Sequence, residues 1–323
     1  MPAPDVTSFI ARSVQERGGW SRIGIAISVL IVAAAGVALL YILRNIDVDK
    51  VFTAIGSTPV RAISLAACFI GTSYVTLTFY DFFSLRTIGC RHVPYRIAAL
   101  ASFTSYSIGH NIGATVFTAG AVRWRVYSAW NMSVIDIAKM AFVTGLTFWL
   151  GNIVVLGFGM ILAPDAAGAV DQLPGWVNQS IGTLGLAVIA GYALWLTGRP
   201  RVVGRGAWAV TLPSAPLTLV QIGIGVLDLG AGALAMFMLL PADPAIDFVT
   251  VLVIYVTAAL IGFLSHAPGS LGVFEAAVLI ALPQFAKEEL VASLLIFRCL
   301  YFVLPLMLAI GLMAARELRL AAR

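Results

Sequence analysis

A carboxylate and a guanidinium stand within apolar sequence in the last quarter of the chain. Glu275 follows the break at 266–270 (HAPGS), which begins at His266, and Arg298 lies in the apolar run 291–314. A charged side chain in hydrocarbon is costly unless it is paired, protonated or in contact with water. We therefore predict an ion pair between Glu275 and Arg298. The pair is either a polar site within the membrane or a structural link that holds the last helix.

A second polar segment precedes two further arginines. Its small, hydroxyl, imidazole and amide residues are Ser102, Thr104, Ser105, Ser107, Gly109, His110, Asn111, Gly113, Thr115, Thr118 and Gly120. His110 and Asn111 can satisfy broken backbone or bind a polar ligand. A guanidinium binds phosphate through its planar fork, so Arg123 and Arg125 are predicted to hold a phospholipid phosphate. The alternative is that both arginines are ordinary anchors at a basic membrane surface.

Two aspartates in apolar runs need separate explanations. Asp228 lies inside the run 214–240, where it can bind a cationic headgroup or relay a proton. Equally, it can be a neutral acid that packs through hydrogen bonds. Asp81 lies close to the end of the run 62–83, and we assign it to the membrane interface.

Composition places these groups in a membrane. Hydrophobic residues make up 60% of the 323 residues and charged residues 11%, whereas about 25% charged residues are usual in soluble domains. A soluble chain of this length could not bury so much apolar surface. The net charge of +5 is carried by short basic clusters between apolar runs, which is typical of membrane topology signals rather than of a nucleic-acid surface.

Several catalytic signatures are absent from the sequence. It contains no phosphate-binding loop, no H-E-x-x-H and no G-x-S-x-G motif. Cys68, Cys90 and Cys299 show neither disulfide nor zinc spacing. His110 and His266 have no second ligand at metal spacing. We therefore predict a protein that is not an enzyme, that hydrolyses no ATP and that holds no metal or cofactor.

Apolar runs of about 18–25 residues mark predicted spanning helices. Six such runs lie at 23–43, 62–83, 140–162, 180–197, 214–240 and 291–314. Regions 97–127 and 248–283 are apolar too, but polar residues and Pro268 interrupt them. Broken backbone survives at this depth only where protein or water surrounds it. We predict an all-α polytopic membrane protein, forming one domain over 1–323, with two oppositely inserted re-entrant hairpins whose tips meet inside the bundle. The alternative is that both regions are ordinary spanning helices.

Positive charge predicts the orientation. Lysine and arginine cluster at 12–22, 86–96, 123–139, 199–205 and 316–323. Loops 163–178 and 241–247 carry only acidic charges, so the positive-inside rule places the basic clusters, segment 1–22 and both termini in the cytoplasm. Loop 44–61 fits poorly as an outside loop because it contains basic residues. The run 23–43 lacks a small-residue cleavage site and is predicted to be retained as a helix.

Three ordered motifs resemble one known family. They are Asn111-Ile112-Gly113 followed by 119–127 (AGAVRWRVY), 266–275 (HAPGSLGVFE) and 298–306 (RCLYFVLPL). Together they resemble the membrane half of the bacterial lysylphosphatidylglycerol synthase/flippase proteins, the multiple peptide resistance factors. The likeness extends from about residue 60 to about residue 315. That family's soluble aminoacyl-transferase domain has no counterpart in the sequence, so lipid synthesis is not expected.

The resemblance implies a bacterial inner-membrane flippase that moves a phospholipid, such as aminoacylated phosphatidylglycerol, between leaflets, with a role in antimicrobial peptide resistance. Implied partners are the lipid, a separate lipid synthase and a second copy of the chain. Two alternatives are an integral-membrane lipid-modifying enzyme and a non-transporting subunit that recruits a synthase. The residues expected to contact lipid are Arg123, Arg125, Asn111, His110, Glu275, Arg298, Asp228 and His266.

Overall fold

The computed structural model describes residues 33–41, 43–44, 46–113, 115–198 and 201–321. Residues 33–41 are helical, in agreement with the predicted span 23–43. Residues 23–32 of that span lie outside the described residues, as does the predicted cytoplasmic segment 1–22.

Helices dominate the described part of the chain. They are α1 (Val48–Ser57), α2 (Val60–Thr87), α3 (Tyr95–Ile112), α4 (Thr115–Tyr127), α5 (Val134–Leu162), α6 (Pro164–Asp171), α7 (Gly175–Trp195), α8 (Ala215–Leu239), α9 (Phe248–Ser265), α10 (Val273–Ala281), α11 (Lys287–Arg298) and α12 (Leu304–Ala321). Between α7 and α8, strands β1 (Val202–Val203) and β2 (Val210–Thr211) pair antiparallel. A π-helical turn, Cys299–Val303, joins α11 to α12. The predicted all-α polytopic class is confirmed.

Six helical stretches in the described residues are long and apolar enough to cross a membrane. They are α2, α5, α7, α8, α9 and the continuous stretch Lys287–Ala321 that contains α11 and α12. Five coincide with the predicted runs 62–83, 140–162, 180–197, 214–240 and 291–314, although α2, α5 and the last stretch extend beyond the predicted ends. The sixth, α9, is the first arm of the region that the sequence assigned to the second hairpin.

Local sequence fixes where two of these helices begin. At the start of α5 the side chains and backbone amides of Ser133 and Asp136 bond reciprocally, with Asp136 N donating to Ser133 Oγ and Ser133 N to Asp136 Oδ2. At the start of α9 the Asp247 carboxylate accepts from Thr250 N over 2.9 Å. Each cap satisfies amides that have no partner within the helix.

The two broken regions form hairpins, and their tips touch. α3 turns into α4 at Gly113, where φ is +83°, and α9 turns into α10 through residues 266–272. A methyl group on Gly113 would lie 3.0 Å from the carbonyl oxygen of His266 and 3.2 Å from Pro268 Cα. The predicted meeting of the tips is therefore present, and only glycine at position 113 permits this approach.

The two returning arms together are about as long as the hydrocarbon core of a bilayer is thick. α4 has 13 residues and α10 has 9, so at 1.5 Å per residue they are about 20 Å and about 14 Å long. End to end these arms span about 33 Å, close to the thickness of about 30 Å of a bilayer's hydrocarbon core. Two hairpins that enter from opposite ends of the bundle and meet part-way account for this match.

The basic and acidic connections lie at opposite ends of the bundle. Arg86, Arg91 and Arg201 line one cleft beside the start of α8, and Arg125 pairs with Glu317 near the end of α12; we call this the basic end. The helices α5 and α8 run away from it, so the connections that follow them, 163–174 and 240–247, lie at the other end. The basic and acidic connections from which the membrane orientation was predicted therefore lie at opposite ends of the folded bundle.

Small residues bring the central helices together. A methyl group on Gly151 of α5 would lie 2.7 Å from Gly225 Cα of α8, and one on Gly225 would lie 2.8 Å from Gly151 Cα. Backbone contact of this kind is a common way to pack membrane helices, which gain no hydrophobic driving force from leaving lipid. The α5–α8 crossing forms a close-packed wall behind the hairpins.

Candidate functional site

Arg298 joins the last long helix to the tip of the second hairpin. Its Nη1 donates to the carbonyl oxygen of Gly269 over 2.9 Å, and its Nε donates to Glu275 Oε1. The other carboxylate oxygen of Glu275 accepts from Gly272 N over 2.8 Å. Both side chains are 14% exposed. The ion pair predicted from the sequence is therefore present, and it holds the hairpin tip by its backbone as well as by charge.

Immediately after Arg298 the helix widens into the π-helical turn. Leu304 N donates to Cys299 O, five residues back. Pro305 has no N–H, so the carbonyl of Tyr301 lacks an α-helical donor. The Tyr74 hydroxyl of α2 donates to that carbonyl over 2.9 Å instead. Turns of this type often occur where a helix carries a functional group.

Asn111 connects the first hairpin to the same turn. Its Nδ2 donates to Phe302 O over 3.1 Å and to Ser107 O over 2.7 Å. The sequence predicted that Asn111 would satisfy broken backbone or bind a ligand, and the described contacts correspond to the first of these. Both hairpin tips are thereby tied to one segment of the last long helix, through Asn111 on one side and Arg298 on the other.

A second buried ion pair lies nearer the basic end. Arg123 Nε donates to both carboxylate oxygens of Asp81 over 3.0 Å, Arg123 Nη2 donates to Oδ1 over 2.7 Å, and the Tyr127 hydroxyl donates to Oδ2 over 2.9 Å. Asp81 is fully buried. The sequence assigned Asp81 to the membrane interface; α2 continues six residues beyond it, to Thr87, and the Asp81 side chain is buried against α4.

The two arginines that were expected to bind phosphate differ in their surroundings. Arg123 is buried and held by Asp81, so a phosphate would have to open that ion pair, and the phosphate role stays a prediction. Arg125 is exposed and pairs with Glu317 and, through its carbonyl, with Arg316. These contacts agree with the anchoring alternative for Arg125.

Asp228 lies deep in α8 and faces α2. Its carboxylate accepts from Ser73 Oγ over 2.6 Å and from the Tyr80 hydroxyl over 3.3 Å, and the residue is 8% exposed. Both hydroxyl groups can donate to the ionised carboxylate, and either one can instead accept from the protonated carboxyl. Asp228 therefore has the same two alternatives as before: a neutral acid that packs through hydrogen bonds, or an acid that binds a cationic headgroup or relays a proton.

Aromatic residues with polar atoms connect the two acids. The Arg123 guanidinium lies 4.8 Å from the Tyr106 ring centre, and the Tyr106 ring packs on Tyr80 at 6.1 Å and on His110 at 5.6 Å. His110 stacks on Tyr301 at 6.4 Å. We use the name polar core for this continuous interior cluster: Ser73, Tyr80, Asp81, Tyr106, His110, Arg123, Asp228 and Tyr301.

Three buried polar atoms of α3 and the last long helix have no hydrogen-bond partner among the described residues: Ser105 Oγ, Ser107 Oγ and Arg298 Nη2. A buried N–H group of a cation costs free energy when it makes no hydrogen bond. Arg298 therefore keeps one donor that an anionic group could accept, at the junction of the hairpin tips.

His266 ends α9 in a left-handed conformation, with φ 55°, and its Nδ1 lies 2.9 Å from Leu264 O. It is exposed at the hairpin tip, whereas His110 is enclosed by the aromatic rings of the polar core. No group of three or more His, Cys, Asp or Glu residues suited to a metal occurs within the described ranges.

Sequence reasoning missed the contribution of α2. Four polar residues of α2 are spaced seven, one and three positions apart, which places them on one face of the helix. They are Ser73, Tyr80, Asp81 and Ser84. That face points into the bundle, where Ser84 donates to Met140 O over 3.2 Å. A polar stripe on an otherwise apolar helix was the available signal.

Comparison with known proteins places this architecture among membrane proteins. No family model matches the sequence. An uncharacterized protein, slr0712 of Synechocystis, is 31% identical over 238 residues, which is 72% of this chain and 73% of that protein. The chain belongs to the slr0712 family. Inner membrane protein YbhN of Escherichia coli is 27% identical over 295 residues, covering 88% of this chain and 87% of YbhN.

A shorter match relates part of this chain to two proteins that are named for a lipid modification. Two phosphatidylglycerol lysyltransferases of Staphylococcus epidermidis strains are each 33% identical over 84 residues. That match covers 25% of this chain and only 10% of each lysyltransferase. These relatives agree with a membrane protein that has a lipid-related role.

Proposed function

We propose that the chain translocates phospholipid headgroups between the leaflets of a bacterial inner membrane, as a transporter and not as an enzyme. The observation that carries this proposal is the contact of the two hairpin tips beside the Arg298–Glu275 ion pair. Opposed broken helices that meet around charged groups are a common way to build a transport site. The acyl chains would stay in the bilayer while the headgroup crosses past the tips.

The ion pair offers a way to pass a charged headgroup through a medium of low dielectric. Removing one partner of a buried pair leaves an uncompensated charge, which is strongly unfavourable. A headgroup with a phosphate and an amine can replace both partners at once, with the phosphate on Arg298 and the amine on Glu275. Arg298 Nη2 already has a donor without a partner among the described residues, so the phosphate can bind before the pair opens.

The same exchange can operate at the second pair. Asp81 and Arg123 lie nearer the basic end and are more completely buried than the tip pair. A headgroup arriving from the basic end would meet this pair first and Asp228 beyond it. We propose that the basic end and both termini face the cytoplasm, because basic connections are retained on that side.

Aminoacylated phosphatidylglycerol is the substrate that we propose, because its headgroup carries both a phosphate and an amine. The motif resemblance to the lysylphosphatidylglycerol flippases and the match to 84 residues of the lysyltransferases support this choice. A separate synthase would then supply the lipid, and a second copy of the chain would complete a dimer.

Reconstitution into liposomes tests the proposal. Lysylphosphatidylglycerol and phosphatidylglycerol with an acyl-chain fluorophore would be placed in both leaflets, and a membrane-impermeant reductant would report which label reaches the outer leaflet. We expect the purified chain to move the lysyl lipid, and Arg298→Gln and Glu275→Gln to slow it by roughly tenfold or more, as loss of one charge-assisted bond predicts.

Arg125→Gln is the matched control, because it removes an arginine whose ion pair is exposed. It should transport as the wild type does. Translocation at equal rates by the wild type, Arg298→Gln and Glu275→Gln, all folded by size-exclusion chromatography, would exclude the tip pair as the transport site. Absence of translocation by the wild type in all lipids would refute the function itself.

A further inference from the structure

A cleft at the basic end opens between the end of α2, the end of α7 and the start of α8. Its volume is about 850 Å³, within the range of about 300–1,000 Å³ that is usual for small-molecule sites. Arg86, Arg91 and Arg201 line it, together with Phe79, Phe82 and Leu217. None of these residues belongs to the polar core or to the hairpin tips.

The three arginines are available to an anion. Every ion pair in the described ranges uses other basic residues. Arg86 lies over the Phe82 ring at 4.7 Å, and Arg201 lies over the Trp195 ring at 5.0 Å while its Nε donates to Trp195 O over 3.2 Å. These contacts orient two guanidinium groups and leave further N–H donors for a ligand.

An apolar groove continues the cleft along the membrane-facing side of α2 and α8. A second cavity of about 780 Å³ shares Phe79, Val220 and Ile224 with the first. Along α2 the lining extends from Arg86 to Cys68, which is about 27 Å at 1.5 Å per residue. Val220 is 51% exposed, so the groove is open sideways to acyl chains.

We infer that this cleft binds an anionic phospholipid, with its phosphate between Arg86, Arg91 and Arg201 and one acyl chain in the groove between α2 and α8. Three cations at one end of a long apolar groove match the charge and the shape of such a lipid. Trp195 and Trp208 are half-exposed at the same end, as is typical of residues at headgroup depth. The lateral opening selects a membrane lipid over a water-soluble phosphate.

This site goes beyond the proposed transport pathway, because it lies on the outside of the α2–α8 pair and shares no side chain with the hairpin tips. A lipid held there would be a second bound lipid. Its binding can therefore be measured without any assay of translocation, and either result leaves the transport test to be decided separately.

Native mass spectrometry of the detergent-purified full chain tests the inference. Lipid adducts would be counted during titration with dioleoyl phosphatidylglycerol or dioleoyl phosphatidylcholine. We expect the wild type to retain the anionic lipid about tenfold more tightly than the zwitterionic one. The variant Arg86→Gln/Arg91→Gln/Arg201→Gln should lose that preference, whereas the three corresponding Arg→Lys changes should keep part of it.

The matched control removes three exposed arginines that lie outside the cleft, as Arg61→Gln/Arg96→Gln/Arg319→Gln, and should retain the preference. Val220→Trp fills the groove without changing charge and should weaken binding of both lipids. Circular dichroism would establish that each variant is folded.

Three results would overturn the inference. One is equal retention of the two lipids by the wild type. Another is an unchanged preference in the folded triple Arg→Gln variant. The third is complete displacement of the lipid by glycerophosphoglycerol, the headgroup without acyl chains, because that would identify a water-soluble phosphate site instead.

Discussion

The Tyr74 hydroxyl and the Tyr301 carbonyl, 2.9 Å apart, form a hydrogen bond between α2 and the last long helix. Pro305 deprives that carbonyl of its helical donor, and Tyr74 supplies the replacement. The widened turn after Arg298 is thereby held in place by a side chain from a different helix.

Tyr74→Phe should destabilise the protein by about 1–3 kcal/mol, because the Tyr301 carbonyl would be left buried without a donor. In a Pro305→Ala background the new N–H can take over, so the same change should cost less. Thermal unfolding in detergent of the four proteins of this double-mutant cycle measures the difference. An identical cost of Tyr74→Phe in both backgrounds would show that the two residues do not act on one carbonyl.

Gly113→Ala should disrupt the contact between the hairpin tips. The backbone there has φ 83° and ψ −176°, a region that is essentially restricted to glycine and costs other residues about 1–3 kcal/mol. The added methyl group would also meet the backbone of Pro268. We expect a lower unfolding temperature and a loss of lipid translocation.

Gly120→Ala is the control for this experiment, since it lies on the other arm of the same hairpin with no atom within 4 Å of an added methyl group. It should leave stability almost unchanged, or raise it slightly through better helix propensity. Equal effects of the two substitutions would contradict the close approach at the tips.

Asp81→Asn should destabilise the protein by about 3–5 kcal/mol, because Arg123 would be buried without its counter-charge. The double variant Asp81→Leu/Arg123→Met should recover much of that loss, since it removes both charges. Glu317→Gln breaks two partly exposed ion pairs, with Arg125 and with Arg316, and should change stability by no more than about 1 kcal/mol. Unfolding in detergent compares the three. A double variant as unstable as Asp81→Asn would mean that packing, not charge, dominates at this pair.

The N-terminal cap of α9 should give a measurable pH dependence. The Thr250 hydroxyl donates to Asp247 Oδ2 over 2.6 Å, and this bond holds the pKa of the Asp247 carboxyl below its usual value. An acid with a lowered pKa in the folded state adds stability above its usual pKa and loses it as the pH falls through the lowered value.

Asp247→Ala should therefore cost about 1 kcal/mol near pH 7, and the difference from the wild type should shrink in the acid range below the carboxyl's usual pKa. Unfolding temperatures measured from pH 7 down to about pH 3 would show it. Glu289→Ala, which removes an exposed acid from the first turn of α11, is the comparison and should have a smaller effect. A difference for Asp247→Ala that is constant with pH would argue against the cap.

Glu275, Arg298 and Pro268 could be understood from the sequence because each violates a rule of membrane burial. A charge in hydrocarbon needs a partner, and a proline with glycine breaks a helix. These rules predicted the second hairpin and its ion pair. The first hairpin followed from the same reasoning about small and polar residues, and the structure adds that Gly113 sits against Pro268.

Asp81 shows why part of the candidate site was not predicted. The apolar run ended near residue 83, but the helix continues to Thr87, and the hydroxyl groups of Ser84 and Thr87 donate to backbone carbonyls. Hydropathy measures the average hydrophobicity of a segment and does not show which face of a helix points into the bundle. The ion pair with Arg123 joins residues that are 42 positions apart in the sequence, and no periodic sequence pattern reveals a contact of that kind.

Short elements also escaped prediction. α1 and α6 have 10 and 8 residues, below the length of a spanning run, and the strands at 202–203 and 210–211 have only two residues each. Their positions are determined by contacts with other parts of the fold. α1, for example, lies in the connection 44–61, which the charge rule could not place.

The unequal arms of the hairpins have an electrical consequence. Because α4 is about 20 Å long and α10 about 14 Å, the junction of the tips lies about three-fifths of the way across from the basic end. A full crossing of 100 mV changes the energy of one elementary charge by about 2.3 kcal/mol. A single net charge carried from the basic end to the junction would therefore experience about 1.4 kcal/mol per 100 mV, whereas a headgroup whose charges cancel would move independently of the membrane voltage.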